Sequence, residues 1–223
     1  MTTSTRTVLG PHASRPAPWW EILLIMALSL GITLVSPSLK LISILIPVAY
    51  LIADRHFRHR TWVEIGFNIR DIPTGLLKTI GWVLLVGIVI QAIAAFGSYY
   101  FLPEYAQHII ARMPFEAGSL SAGLFIALGI STLGEEIIYR GLFQERLTTF
   151  LSPAAAIILS SLVFALMHFA PGPGLIVLID LLSVFVDSLV FGVIFLRTHN
   201  VFVAWIAHFL ADIAGLLFIL MII

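Results

Sequence analysis

The chain has 223 residues, of which 60% are hydrophobic and 11% charged, with no cysteine and a formal net charge of zero. Soluble domains carry about 25% charged residues, so too few polar side chains remain here to cover a water-exposed surface, and a soluble globular fold is excluded. The absent cysteines exclude disulfides, a thiol nucleophile and a thiolate metal site, and no nucleic-acid partner is expected.

In chain order, residues 1–18, MTTSTRTVLGPHASRPAP, read as a disordered tail. Apolar helical runs follow at about 19–36, 39–53, 75–102, 118–134 (with a polar extension to about 149), 153–169, 175–196 and 200–222. A helix needs about 20 residues to cross a hydrocarbon core of about 30 Å. These runs therefore predict about seven transmembrane helices, the second short enough to be tilted, re-entrant or paired tightly with the first. The first run lacks a small-x-small cleavage site and precedes further spans, so it reads as an anchor and not a removed signal peptide. The expected fold class is an all-α, polytopic membrane helix bundle. Its parts are the tail at 1–18, N-terminal transmembrane helices and loops at 19–117, and a core at 118–223.

Charge asymmetry orients the chain. The segment ADRHFRHRTWVEIGFNIRDIP at 53–73 holds Arg55, Arg58, Arg60 and Arg70 against Asp54, Glu64 and Asp71. With Arg6 and Arg15 in the tail, the positive-inside rule puts the N-terminus and this loop in the cytoplasm. The loop at 103–117, with one arginine and two glutamates, falls on the opposite side, and Arg146 and Arg197 return to the cytoplasmic one.

Ionisable residues inside a span cost several kcal/mol, so each is a functional candidate. The runs before residue 103 hold only Glu21, Lys40 and Lys78, all near their ends, whereas the later runs hold Glu135, Glu136, Arg140, His168, Asp180, Asp187, His208 and Asp212. The chemistry is therefore expected in 118–223. Glu136 and Arg140 are i, i+4 with the acid first, the favourable order for a helical ion pair. Glu135 points about 100° away and faces a different partner. A turn near Leu151–Pro153 folds the next run back, which places His168 at the depth of Glu135, with Phe164 one turn before it on the same face. His208 and Asp212 share a face one turn apart, a spacing that fits two metal ligands or an acid that fixes an imidazole tautomer. Asp180 and Asp187 share a face of the sixth run; the glycine-rich motif of an aspartyl intramembrane protease is missing, and serine, histidine or water is expected to satisfy them.

Taken together, EExxxR (Glu135, Glu136, Arg140), FxxxH (Phe164, His168) and HxxxD (His208, Asp212) resemble the signature of the CAAX-protease and bacteriocin-processing family of intramembrane endopeptidases. The stretch RTHNVFVAWIAHFLAD also looks like that family's final helix, and the resemblance covers roughly 118–220. It implies a peptidase whose catalytic core lies in the last four helices. Glu135 would activate a water, and His168 would hold that water or shuttle its proton. His208 and residue 212 would stabilise the oxyanion, and Glu136, Arg140 and Phe164 would support the site. The family most often has asparagine where this chain has Asp212, and a carboxylate donates a hydrogen bond only when protonated. No cofactor is favoured by the resemblance; a Zn²⁺ version would use Glu135, His168, His208 and Asp212 as ligands. The expected partners are the lipid bilayer and a peptide or small membrane-protein substrate, and the expected location is a prokaryotic plasma membrane with the N-terminus cytoplasmic. Two further classes are a non-catalytic peptide-binding or immunity protein of the same fold and an ion-coupled transporter. Against the transporter, no inverted repeat is present.

Overall fold

The computed structural model describes residues 18–36, 39–113 and 121–222. The tail expected at 1–18 lies outside the described residues except for Pro18, as do 114–117 of the expected outer loop and 118–120 of the core run. The described residues form eight helices and no strand. These are α1 (Trp19–Val35), α2 (Lys40–Phe57), α3 (Ile69–Phe101), α4 (Pro103–Arg112), α5 (Ala122–Leu147), α6 (Pro153–Leu166), α7 (Gly174–Thr198) and α8 (Val201–Ile222).

Seven of these follow the apolar runs. Among the described residues, α3, α5, α7 and α8 are long and apolar enough to cross a membrane, while α1 and α6 are apolar but shorter. The protein is accordingly an all-helical integral membrane protein. The eighth helix, α4, forms where a connecting loop is expected. Pro103 opens it, and Tyr105, Ala106 and Ile109 are buried on one side while Glu104 and Gln107 are exposed on the other. It is short and two-faced, the pattern of a helix lying against the bundle.

The outward faces suit lipid. Leu77, Phe101 and Ile130 are 75%, 81% and 68% exposed, as expected where the surrounding phase is itself apolar. Inside, small and polar groups join the helices. Thr33 of α1 donates to the Ser43 hydroxyl of α2 at 2.7 Å. Ser160 of α6 donates to the Tyr139 carbonyl of α5 at 2.8 Å. At Gly192 of α7 an added Cβ would come within 2.8 Å of Ile157 on α6, so the glycine permits the approach of these two helices.

One end of the bundle gathers the basic residues. Asp54 meets Arg58 at 2.8 Å and is also bonded by Arg146; Arg60 pairs with Glu145 at 2.5 Å, and Arg58 with Glu21 at 2.6 Å. Lys78 donates to the Arg197 carbonyl at 2.7 Å. Asn200 starts α8 at the same end, accepting from the Phe202 amide at 3.0 Å and donating to the Asn68 carbonyl at 2.6 Å.

Candidate active site

Helix α5 is not a uniform α-helix. It is π-helical over Ile137–Gln144, just after the two glutamates, and α3 has a second π segment at Leu85–Ile90. Such segments free a carbonyl from its usual partner and recur near functional sites. In α3 the Val86 carbonyl accepts from the Gln91 side chain at 3.2 Å, and the same amide nitrogen donates to Asp187 of α7 at 3.0 Å.

Glu136 and Arg140 form the expected ion pair, at 3.2 Å and with both side chains fully buried. The guanidinium also donates to the Ser188 hydroxyl at 2.9 Å and carbonyl at 3.1 Å, and lies over Phe164 and Phe191 at 5.5 and 6.0 Å. Glu136 does more than neutralise the arginine. Its other oxygen accepts from His208 Nδ1 at 2.9 Å, so this acid, and not Asp212, orients the imidazole. His208 is further fixed by stacking on Phe191, with ring centroids 4.5 Å apart and planes at 24°, and by the edge of Phe164.

Glu135 points away from that pair, as the helical turn requires. Its Oε2 lies 3.8 Å from His168 Nε2 and 3.9 Å from His208 Nε2, and Ser131 donates to its Oε1 at 3.4 Å. The meeting with His168 follows the depth expected from the α5–α6 hairpin, but α6 ends at Leu166 and His168 sits in the turn beyond it. His168 Nδ1 is 2.8 Å from the Phe164 carbonyl. A carbonyl only accepts, so Nδ1 carries the proton and a neutral ring turns its Nε2 lone pair toward Glu135. The Phe164 ring lies 4.5 Å from that of His168, on the face that one-turn spacing anticipates. Asp212 Oδ1 stands 3.7 Å from His208 Nε2, with the Asp212 side chain 37% exposed although it lies midway along α8.

That exposure is to a cavity of about 230 Å³. Glu135, His168, His208 and Asp212 all line it, with Phe164 and Asp187. The walls continue along α3, α4, α7 and α8 to Ser98, Tyr105, Ser183 and Ile219. Trp205 ties α8 to α5 behind the site, donating to the Gly129 carbonyl at 2.9 Å and Thr132 at 3.2 Å. No group of three histidine, aspartate or glutamate side chains among the described residues is arranged to hold a metal ion.

The two remaining acids are satisfied differently from the expected serine, histidine or water. Asp180 takes Arg112 Nε at 3.0 Å and His108 at 3.3 Å, both from α4, so only the histidine is of the expected kind. Asp187 takes Gln91 from α3. Gln91, Arg112 and His108 lie in a region the motifs do not reach, and a lone polar residue in an apolar run is the only signal that points to Gln91.

Residues 117–214 match the family model described as Rce1-like, type II CAAX prenyl endopeptidase Rce1-like. The match runs through all three motifs, from before α5 to just past Asp212. Nothing matches among curated proteins or among solved structures.

Proposed function

From the match of residues 117–214 to the Rce1-like CAAX prenyl endopeptidase model, we propose that this chain is an intramembrane endopeptidase in which Glu135 activates the attacking water. The observation that carries the reading is the convergence of Glu135, His168, His208 and Asp212, from three separate stretches of sequence, on one cavity. The gaps of 3.7 to 3.9 Å between their polar atoms are too long for direct hydrogen bonds and suit a single bridging water.

In this mechanism a water sits between Glu135 Oε2 and His168 Nε2 and directs its lone pair at the scissile carbonyl carbon. Glu135 takes a proton as the new C–O bond forms, and the carbonyl oxygen becomes an oxyanion. His208 is the donor to that oxyanion. Because Glu136 holds its Nδ1 proton, donation from Nε2 requires a doubly protonated ring; Glu136 is already paired with Arg140, so Glu135 beside Nε2, and then the oxyanion itself, balance that charge. Asp212 acts beside it as a protonated acid, the form in which it replaces the asparagine more usual in the family. Collapse of the tetrahedral intermediate breaks the C–N bond, and Glu135 returns its proton to the leaving amine. No metal takes part. The substrate is a membrane-associated peptide or protein, the class suited to a peptidase site enclosed by apolar helices long enough to cross a membrane.

The test is cleavage of a broad peptide library in detergent, read by mass spectrometry. Wild type is expected to release products and Glu135→Gln none. If wild type folds and cleaves nothing, the chain is instead a non-catalytic binder of the same fold.

A further inference from the structure

The cavity is one-sided. On α8 its lining residues run from His208 to Ile219, although the helix begins at Val201. On α3 they are Ile90 to Ser98 of a helix that begins at Ile69. On α5 they are Leu124 to Glu135 of a helix that runs on to Leu147, and on α6 they are Phe164 and the following His168. Alternate helices run in opposite directions, so these four stretches extend from the middle of the bundle toward one end, while on α7 the lining, Ser183 to Phe191, stays near mid-helix. The wall at that end is completed by Tyr105, Ile109 and Arg112 of α4.

The basic residues occupy the other half. Arg55, Arg58, Arg60, Arg146 and Arg197 lie in or just past the last turns of α2, α5 and α7, and Arg70 and Lys78 in the first turns of α3. They are joined there by contacts such as Arg60–Glu145 and Lys78 with the Arg197 carbonyl. The end that carries α4 has only Lys40 and Arg112, and Arg112 is neutralised by Asp180. Seven basic residues against two is a strong orienting bias, counted close to the span ends where the bias acts.

We infer that the cavity opens on the extracytoplasmic side of the membrane, so that its substrate is a polypeptide segment presented from that face and not a cytoplasmic, lipid-modified chain end. The inference rests on the peptidase reading for the word substrate, but the direction of opening is independent of it. Water for hydrolysis enters by the same route, past Leu128 and Ser131, and the half-accessible Asp212 carboxylate lies on that route.

The native absence of cysteine makes the test direct. Three single-cysteine variants are expressed in full-length protein: Gln107→Cys on the exposed side of α4, Leu128→Cys in the cavity wall, and Thr148→Cys at the basic end. A small membrane-impermeant thiol reagent is applied to intact cells and again after permeabilisation. The expected result is labelling at 107 and 128 in intact cells, with labelling at 148 only after permeabilisation. Labelling at 148 but not 107 in intact cells reverses the orientation and overturns the inference. Labelling at 107 with no reaction at 128 from outside also overturns it, because the cavity then does not open there. Neither readout depends on catalysis, so a failure of the peptidase reading leaves this result standing and is recognised separately in the cleavage assay.

Discussion

Two clusters of buried charge stand in this bundle, and they are built to different rules. At the basic end Asp54 is ringed by Arg58, Arg60 and Arg146, while Glu145 and Glu21 engage the same arginines from the other side. Most of these pairs are in direct contact, and none of the residues lines the cavity. In the middle of the bundle Glu136, Arg140 and His208 are joined just as tightly, but beside them Glu135, His168 and Asp212 keep water-sized gaps around an open space. A count of buried charges would rank the two clusters alike. Spacing separates them: charges at contact distance hold helices together, whereas charges one water apart, with a cavity between, can act on a substrate.

The largest effect that sharpens this contrast is expected from Arg140→Met. Glu136 then keeps its burial without its cation, a change that costs about 3 to 5 kcal/mol, and denaturation temperature in detergent should fall steeply with loss of cleavage. His168→Ala should behave in the opposite way. It is expected to lower kcat/KM by on the order of 10² to 10³, as loss of a group that holds the attacking water does, with denaturation little changed, because His168 lies in a turn past the end of α6. Asp212→Asn should be milder still. An amide donates as a protonated acid does, so activity should stay within about threefold and its decline at high pH should flatten, the amide having no proton to lose. A dead variant would assign Asp212 a role as base or ligand instead. The smallest effect is expected from a strong chelator, which should leave cleavage unchanged; loss of activity on chelation would move the chemistry to a metal held by the same side chains.

Much of this contrast was legible in the sequence, and the reasons are specific. The i, i+4 spacing of Glu136 and Arg140, and the turn that returns His168 to the depth of Glu135, are local geometry, which periodicity fixes. The tilted ring contact of Phe164 with His168 is local in the same sense. What escaped is long-range. Glu136 and His208 are 72 residues apart, so nothing in the spacing shows that Glu136 both neutralises Arg140 and orients His208. The same is true of Gln91 with Asp187, separated by 96 residues, and of Arg112 with Asp180, separated by 68. Helix α4 escaped for a different reason: at ten residues it is too short for an apolar-run reading, and its buried face shows only at helical period. The reverse error is in α6, where an apolar run extends to residue 169 but the helix ends at Leu166, because hydropathy records apolar character and not where a helix stops.

The most direct test sets one cluster against the other. In a single preparation, kcat/KM and denaturation temperature are measured for Glu135→Gln and Asp54→Asn. Asp54 is fully buried among three arginines, so its variant should lose about 3 kcal/mol of stability while the surviving folded fraction cleaves at the wild-type rate. Glu135→Gln should keep the wild-type denaturation temperature and lose cleavage by on the order of 10³ or more. Residual activity in Glu135→Gln close to wild type, with its fold intact, would contradict the assignment of this carboxylate as the base.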